Sequence, residues 1–443
     1  MENYEYTPTE AKWINKIPSH WECKKIGNLF TQRNEKVSDK VYEPLSVSKN
    51  GVVPQLESAV KTDAGDNRKL VLKGDFVINS RSDRKGSCGV SPLDGSVSLI
   101  NIVLKPRQSW NEKYVHYLMR CHLFSEEYYR NGRGIVADLW TTRYSEMKSI
   151  LLPVPPRKEQ DQIVRYLDWQ TSKINRLIAA KKQQIHVLRE QQQKLICEVI
   201  TKGVHSDVGY KDSHIAWIGD IPSHWSAIRC KYLFSERDER SKEGMETHLS
   251  MSQKYGLVPD SQLDERRMLS ESYAGGKLCY QDDLVLNRLK AHLGVFALAP
   301  QFGVISPDYT VLIPNTERII PSFGEMVLKS ALCRRELRVR VRGIIEGFWR
   351  LYTDDFYTIY LPVPHIEEQK EIMQYIDAQA KKTAALENAL NREIELLHEL
   401  RTRLISDVVI GQIDVRSIEV PDFELVEELA DEAEEPEDKM EVE

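Results

Sequence analysis

Cysteine residues are few and far apart in this chain. Its 443 residues include seven, at positions 23, 88, 121, 197, 230, 279 and 333, and no two of them form a Cys-x-x-Cys pair. This scatter argues against both a disulfide framework and a zinc ribbon. The sequence therefore predicts reduced, mostly buried thiols and no metal site.

Long apolar runs are also missing. No segment approaches the roughly 18 consecutive apolar residues of a membrane-spanning helix. The first residues, MENYEYTPTEAKW, lack the basic patch and apolar core of a secretory signal. We therefore expect a cytoplasmic protein without a membrane partner. With 41% hydrophobic and 29% charged residues, a chain of this length predicts two or three domains.

Sequence motifs of catalysis are absent as well. The chain has no GxxxxGK[ST] phosphate-binding loop and no Asn/Asp-Pro-Pro-aromatic signature of base methylation. The neighbouring carboxylates Asp282 and Asp283 are interpreted as part of a turn, because such pairs are common in solvated turns. We therefore predict no catalytic residue in this chain.

The formal net charge of −6 conceals an asymmetry. Residues 419–443 contain 13 of the 67 acidic and one of the 61 basic residues, so this tail has a charge of −12. The other 418 residues carry a net charge of +6. A basic body makes nucleic acid a plausible partner, although excess Lys and Arg alone also occurs on solvated surfaces.

The chain contains an internal repeat. At the start of the repeated unit, WINKIPSHW (13–21) aligns with WIGDIPSHW (217–225). Near its end, RGIVADLW (133–140) aligns with RGIIEGFW (342–349). LPVPPRKEQ and LPVPHIEEQ then follow at an offset of 209 residues. Between these ends the similarity is weak. We infer a tandem duplication in which a shared frame carries two diverged middles with different tasks; drift without functional consequence is the alternative.

Each middle predicts an α+β fold. Short apolar runs such as DFVINS and DLVLN, separated by Gly, Pro, Asn and Asp, indicate strands. Apolar residues at helical spacing predict one helix over 112–130 and another over 322–340. His20 and His224, each between Ser and Trp, are expected to hold their domain together rather than to act as ligands or bases.

Two segments free of Gly and Pro follow the LPVP motifs. Each has apolar residues at eight of eleven heptad positions, which predicts two long helices paired as a coiled coil. The short linker after the first helix favours antiparallel pairing within the chain, with one domain at each end. The predicted seam includes Leu167, Ile174, Ile178, Ile185, Leu188, Leu195, Ile376, Leu390, Ile394, Leu397 and Leu404.

The chain resembles the specificity subunit of Type I restriction-modification systems in its IPSHW, DLVLNRLKAHLG, LPVP and ICEVITKGV motifs and in its order of two variable domains and two repeated helices. The resemblance covers Trp13 to Arg416. It implies an α+β chain with two target recognition domains, residues 1–152 and 204–361, separated by a long antiparallel two-helix coiled coil. The coiled-coil helices occupy 153–203 and 362–412, and residues 413–443 form an acidic tail.

The resemblance implies a non-catalytic, sequence-specific subunit that binds a two-part site on double-stranded DNA. Its expected partners are two modification subunits, which methylate adenine with S-adenosylmethionine, and restriction subunits, which use ATP and Mg²⁺. No cofactor is expected in this chain. The sequence leaves two alternatives open: a coiled-coil scaffold that joins two non-DNA modules, and a self-sufficient DNA-modifying enzyme.

Base reading requires hydrogen-bonding side chains at groove edges and cations at phosphates. Candidates cluster after a predicted strand and around the RG turn of each domain. In the first domain they are Asn79, Arg81, Arg84, Lys85, Arg133 and Arg143, with Arg130 beside them; in the second they are Asn287, Arg288, Lys290, His292, Arg338, Arg342 and Arg350, with Arg334, Arg335 and Arg340 beside them. The Lys49-Asn50-Gly51 and Lys254-Tyr255-Gly256 loops are weaker candidates.

The acidic tail departs from the family pattern, in which chains often stop after a GQIDVR-like end. We expect a disordered, solvating tail. The alternatives are that its carboxylates compete with DNA phosphates for the basic body or contact a partner.

Overall fold

The structure, a computed structural model, describes residues 4–55, 65–81, 84–134, 140–252, 255–262, 273–343 and 349–427. The chain forms two compact units. Unit 1 comprises Met1–Gln183 with Leu390–Glu443, and unit 2 comprises Gln184–Ala389. Each unit mixes helices and strands, so the predicted α+β class is confirmed.

Unit 1 has its short elements before its first long helix. The strands are β1 (Tyr6–Pro8), β2 (Lys16–Pro18), β3 (Glu22–Lys25), β4 (Phe30–Arg33), β5 (Lys36–Val37), β6 (Leu45–Ser48), β7 (Gly51–Pro54), β8 (Arg68–Val71), β9 (Phe76–Asn79), β10 (Cys88–Val90), β11 (Gly95–Val97), β12 (Asn101–Pro106) and β13 (Leu151–Val154). The helices are α1 (Ile26–Leu29), α2 (Glu112–Arg120), α3 (His122–Arg130), α4 (Tyr144–Met147) and α5 (Arg157–Lys202), the last of which continues into unit 2.

Unit 2 repeats this order. Its strands are β14 (Tyr210–Asp212), β15 (Asp220–Pro222), β16 (Ser226–Arg229), β17 (Phe234–Arg237), β18 (Leu249–Ser252), β19 (Gly256–Pro259), β20 (Lys277–Cys279), β21 (Leu284–Asn287), β22 (Phe296–Leu298), β23 (Gly303–Ile305), β24 (Tyr309–Pro314) and β25 (Tyr360–Val363). The helices are α6 (Pro321–Lys329), α7 (Ala331–Arg338), α8 (Thr353–Tyr357) and α9 (Ile366–Val409), which ends in unit 1.

The main sheet of each unit has four antiparallel strands in the same spatial order. It runs β10-β9-β12-β4 in unit 1 and β22-β21-β24-β17 in unit 2. In β9 all four residues are buried, because the sheet is covered on both faces. Since successive side chains point to opposite faces, Phe76 and Ile78 enter the large core with α2 and α3, whereas Val77 enters a smaller core. β21 divides its side chains in the same way.

The predicted helices over 112–130 and 322–340 are each broken in two. Cys121 lies between α2 and α3 with φ −61° and ψ 152°, and Ser330 lies between α6 and α7 with φ −62° and ψ 149°. The Ser330 side chain accepts a hydrogen bond from the backbone N–H of Cys333. These extended residues end one helix and cap the next, so the single-helix prediction is wrong at both places.

The repeated sequence motifs form the frame of each unit. LPVP residues lie in β13 and β25, which pair with β3 and β16 beside the IPSHW motifs. Gly411 follows the end of α9 with φ +75°, and a Cβ placed there would lie 2.6 Å from Pro18 Cδ and 2.9 Å from Trp21. Glycine thus permits both the left-handed turn and the close approach of the motif.

In unit 1, the first part of α5 pairs with the last part of α9. Arg401 donates a hydrogen bond of 3.0 Å to Asn175 Oδ1, and Lys181 forms an ion pair with Glu393. Because the α9 numbers fall as the α5 numbers rise, the pair is antiparallel, as predicted. The seam residues of this unit are all buried or half-buried: Leu167, Ile174, Ile178, Leu390, Ile394, Leu397 and Leu404.

In unit 2, the last part of α5 pairs with the first part of α9. Arg189 lies 3.2 Å from Glu387, and His205, just beyond α5, lies 3.1 Å from Glu371. This pair is antiparallel as well. Its predicted seam residues are likewise buried or half-buried: Ile185, Leu188, Leu195 and Ile376.

Candidate nucleic-acid interface

The two candidate segments of unit 1 lie together at the end of β9. Asn79 is buried, and its Oδ1 accepts a hydrogen bond of 3.0 Å from the backbone N–H of Arg81. Thr141 forms β-bridges with both Arg81 and Arg133. Sequence positions more than 50 residues apart are therefore neighbours in the fold.

Unit 2 has the same arrangement at the end of β21. The Asn287 side chain accepts a hydrogen bond of 3.1 Å from the backbone of Leu289 in the following turn. The carbonyl of Arg288 accepts a hydrogen bond of 3.1 Å from the backbone N–H of Leu351. Arg342 and Arg350 exchange two backbone hydrogen bonds of 2.8 Å. Both units thus bring the loop after a main-sheet strand to the RG turn.

Six of the candidate cations have exposed side chains that form no hydrogen bond or ion pair with any other described residue. Such cations remain available to phosphates and base edges, because no hydrogen bond or ion pair with a described residue holds their side chains. They are Arg81, Arg133, Arg143, Lys290, Arg338 and Arg350.

Other candidates have partners inside the fold. Lys85 forms an ion pair with Glu126, and this hydrogen bond lowers the pKa of the Glu126 carboxyl. Arg342 forms an ion pair with Asp355. Arg288 donates a hydrogen bond of 2.9 Å to Thr310. These three side chains are therefore held by the protein, and DNA would have to compete with their partners.

For the remaining candidates, the structure does not single out a side chain that is free to contact DNA. The Arg84 carbonyl accepts a hydrogen bond of 3.2 Å from the Tyr129 hydroxyl, and its side chain is exposed. Arg130 and Arg340 form ion pairs with acidic residues of their own helical turns. The side chain of His292 lies outside the described residues.

The weaker loop candidate of unit 1 is the turn between β6 and β7. Lys49 and Asn50 are exposed, and Gly51 has φ +106°. Arg120 donates hydrogen bonds to the Lys49 carbonyl and to the ring of His116. Burial, together with the nearby charges of Arg120 and Lys113, lowers the pKa of His116 to about 3, so this ring is neutral.

The corresponding loop of unit 2 is only partly described. Lys254 lies outside the described residues, while Tyr255 is 59% exposed just before β19.

Trp140 is a further candidate that the sequence motifs did not single out. This side chain is 39% exposed beside Thr141 and therefore lies at the candidate surface of unit 1. The signal was present, because both RG segments end in tryptophan. Exposed aromatic rings can stack on bases or wedge between them.

The two repeated histidines hold the frame of each unit, as the sequence predicted. His20 Nε2 lies 2.8 Å from Glu159 Oε2, and His224 Nε2 lies 2.8 Å from Glu368 Oε2. Each contact joins an IPSHW motif to the first turn of a long helix.

The carboxylate of Asp283 also has a structural partner. It is buried and accepts hydrogen bonds of 2.9 and 3.3 Å from Arg237. Asp75 and Arg33 form the same pair in unit 1. The Asp282–Asp283 pair therefore has a structural role, as predicted, but Asp283 is buried in an ion pair rather than solvated. In the described part of the chain, no group of three or more His, Cys, Asp or Glu residues has the geometry to hold a metal.

None of the helices within the described ranges combines the length and apolar character needed to cross a membrane.

Comparisons with known proteins agree with this architecture. The family model for the Type I restriction modification DNA specificity domain matches residues 18–187 and 270–396. The Type I restriction enzyme MjaVIII specificity subunit of Methanocaldococcus jannaschii is 22% identical over 91% of this chain and 95% of its own length. The putative type I restriction enzyme MjaX specificity subunit of the same organism is 21% identical over 91% and 96%.

A solved chain from a study of complex assembly and conformational transition of the type I R-M system shares the fold. Its TM-score is 0.59 at 14% identity, over 90% of this chain and 99% of that one. The family model covers more than half of the present sequence in two separate segments. The chain therefore belongs to the family of Type I restriction-modification DNA specificity proteins, whose members are non-catalytic subunits.

Proposed function

We propose that this chain reads a two-part, asymmetric DNA site, with one half recognised by the candidate surface of each unit. The observation that carries the proposal is that, in both units, the loop after a main-sheet strand contacts the segment around the RG turn. In both units, exposed arginine or lysine side chains without a hydrogen bond or ion pair to any other described residue lie at this contact. Because the middles differ in sequence, the two surfaces read different half-sites.

The exposed cations and the two asparagines have separate roles in this proposal. Arg81, Arg133, Arg143, Lys290, Arg338 and Arg350 contact phosphates or guanine edges, since arginine can bind both O6 and N7 of guanine. Asn79 and Asn287 act differently: their side chains hold the following turns in place. They therefore position the loops rather than touch bases.

The paired long helices dock two modification subunits, and restriction subunits join the complex outside them. Methyl transfer from S-adenosylmethionine and ATP-dependent cleavage with Mg²⁺ belong to those subunits. Support comes from the family and from a chain of the same fold that was solved in a study of complex assembly of the type I R-M system. The assembly acts on double-stranded DNA in the cytoplasm.

DNA binding with and without a modification subunit from the same genome tests this proposal. We expect binding that weakens steeply with salt, because phosphate contacts release counterions, and preference for one two-part sequence. Absence of salt-dependent binding in both conditions would favour the scaffold alternative. Methylation by this chain alone, given S-adenosylmethionine and DNA, would contradict the proposal in favour of the enzyme alternative.

A further inference from the structure

The beginning of the acidic tail is an ordered part of unit 1, in contrast to the expected disordered tail. Residues 415–427, here called the strap, run along the first part of α5. Side chains of α5 bond to the strap backbone by five contacts of 2.7–3.1 Å: Gln162 to the carbonyls of Val415 and Ile418, Arg165 to Val420, Arg176 to Glu424 and Asn175 to Val426. Residues 428–443 lie outside the described part of the chain.

Apolar contacts anchor the strap as well. Val415 and Val420 are buried in the main core of unit 1, and Ile418 and Phe423 pack against it. The strap is therefore held by more than exposed charges, which alone would contribute little. Its acidic side chains point outward, since Asp422 and Glu424 are highly exposed.

Two polar residues of α5 depend on the strap for their burial and bonding. Ser172 is 2% exposed and accepts a hydrogen bond of 3.0 Å from the backbone N–H of Val426. Asn175 is 8% exposed and joins three segments, since it donates to Val426 and accepts from Arg401 of α9. Buried polar groups need such partners, so the strap completes this face of the helix pair.

The repeat provides an internal comparison. Shifted by 209 residues, the α5 positions that hold the strap fall on the first part of α9. Arg165, Ser172, Asn175 and Arg176 become Gln374, Lys381, Ala384 and Ala385. All four of these α9 residues are exposed, and the alanines cannot form the hydrogen bonds that α5 provides. The fifth strap-binding residue, Gln162, becomes Glu371, which contacts His205. Among the described residues, the equivalent α9 face from Gln374 to Ala385 therefore holds no counterpart of the strap.

We propose that the strap is an intramolecular ligand that closes the α5 face and thereby makes the two equivalent helix faces unequal. The inference rests on the proposed docking of two modification subunits. One subunit meets the open α9 face and binds directly. The other meets the α5 face and has to displace the strap, so it binds more weakly.

Two variants release the part of the strap beyond Val420 in different ways. One ends the chain after Val420, which keeps the buried valines and removes the contacts of Glu424 and Val426. The other is full-length Arg176→Glu, which places a carboxylate opposite Glu424. Lys173→Glu is the matched control, because it makes the same charge change on an exposed neighbour of the same helix.

Hydrogen exchange first establishes the state of the strap. In the intact chain we expect slow exchange at the Val426 amide, because it is bonded to Ser172. Arg176→Glu accelerates this exchange, and Lys173→Glu leaves it unchanged. Rapid exchange at Val426 in the intact chain would overturn the inference.

Native mass spectrometry with a titrated modification subunit from the same genome then measures docking. In the intact chain and Lys173→Glu we expect the second subunit to bind at least about tenfold more weakly than the first. The two affinities become equal in the truncated chain and in Arg176→Glu. Equal affinities in the intact chain would overturn the inference and leave the proposed function standing. Absence of docking by every chain would overturn the proposed docking itself, and this inference with it.

Discussion

Two kinds of charged residue differ in their roles: buried ion pairs, and exposed cations without a hydrogen bond or ion pair to any other described residue. Within unit 1, Arg33 of β4 pairs with Asp75, just before β9. Within unit 2, Arg237 of β17 pairs in the same way with Asp283, just before β21. Each carboxylate is at most 4% exposed, and each also accepts a backbone hydrogen bond. These pairs stabilise the fold of each unit, while the exposed cations are the proposed DNA contacts.

Arg33→Ala is expected to destabilise unit 1 by about 3 to 5 kcal/mol, because it leaves the Asp75 carboxylate buried without its partner. Chemical unfolding followed by a probe in each unit measures this change. The unit 2 transition serves as the internal control and should not move. A change below about 1 kcal/mol in unit 1 would contradict the structural role of the pair.

His116 makes the stability of unit 1 sensitive to acid. Its pKa is about 3 in the fold against 6.5 for the free side chain, chiefly because of burial. Between these values the unfolded state binds more protons, so stability is lost as pH falls, by up to about 1.4 kcal/mol per pH unit. Unfolding free energies measured from pH 7 to pH 4 should therefore fall less steeply in His116→Gln. Exposed His122→Gln is the control, and equal slopes for all three proteins would contradict this role.

Arg133→Ala should weaken DNA binding and reduce the slope of log affinity against log salt by about 0.9 if the side chain contacts one phosphate. If it reads a guanine, the loss should be about 1 to 3 kcal/mol at one base pair only. Binding titrations on site variants at several salt concentrations distinguish the two. Lys158→Ala removes an exposed charge from the first turn of α5 and serves as the control. Equal binding by both variants would exclude Arg133 from the interface.

The role of a residue could be predicted where the same residue occurs in both copies of a repeated motif. His20 and His224 were assigned correctly because the same residue in the same motif implied a shared structural role. The ion pair of Arg342 with Asp355 could not be predicted, because it depends on how the turn after the RG segment folds. The strap was missed for a different reason: composition alone describes residues 419–443 as solvated.

Secondary-structure elements could be predicted where the spacing of apolar residues alone determines them. Heptad spacing identified both long helices, and α5 covers Arg157–Lys202 as expected. The breaks at Cys121 and Ser330 were missed, because the apolar spacing continues through them. The break is set by backbone geometry and capping, which periodicity does not record.

Adjacent residues of α5 offer a test of the helix pairing. Ile178 is 6% exposed on the seam, whereas Leu177 is 52% exposed. Ile178→Ala should destabilise unit 1 by about 2 to 5 kcal/mol through lost burial and a cavity. Leu177→Ala should change stability by no more than about 0.5 kcal/mol. Thermal or chemical unfolding measures both, and similar effects would contradict the assigned seam.

On the scale of the whole molecule, the duplication organises the protein. The frame motifs recur because each unit pairs its LPVP strand with the strand after its IPSHW motif, β13 with β3 and β25 with β16, directly before a long helix. The middles share a strand order but differ in their exposed side chains. The sequence predicts the duplication and its fold class, whereas neither half-site can be derived from it, because base reading depends on side-chain positions against DNA.

The long helices are predicted to set the spacing between the two half-sites. Seven residues inserted in both α5 and α9 keep the heptad register and add about 10.5 Å. Since DNA rises about 3.4 Å per base pair, the spacer should lengthen by roughly three base pairs, less whatever DNA bending absorbs. Genome-wide mapping of methylated adenines gives the spacer directly. An unchanged spacer at normal activity would contradict a measuring role for the helices.

In the proposed function, the two units read DNA independently of each other. This independence is tested most directly by replacing residues 205–350 with the same region of a relative and mapping methylated adenines in a host that has no other specificity subunit. We expect a new sequence in one half-site and an unchanged sequence in the other. A change in both half-sites, or in neither, would contradict it.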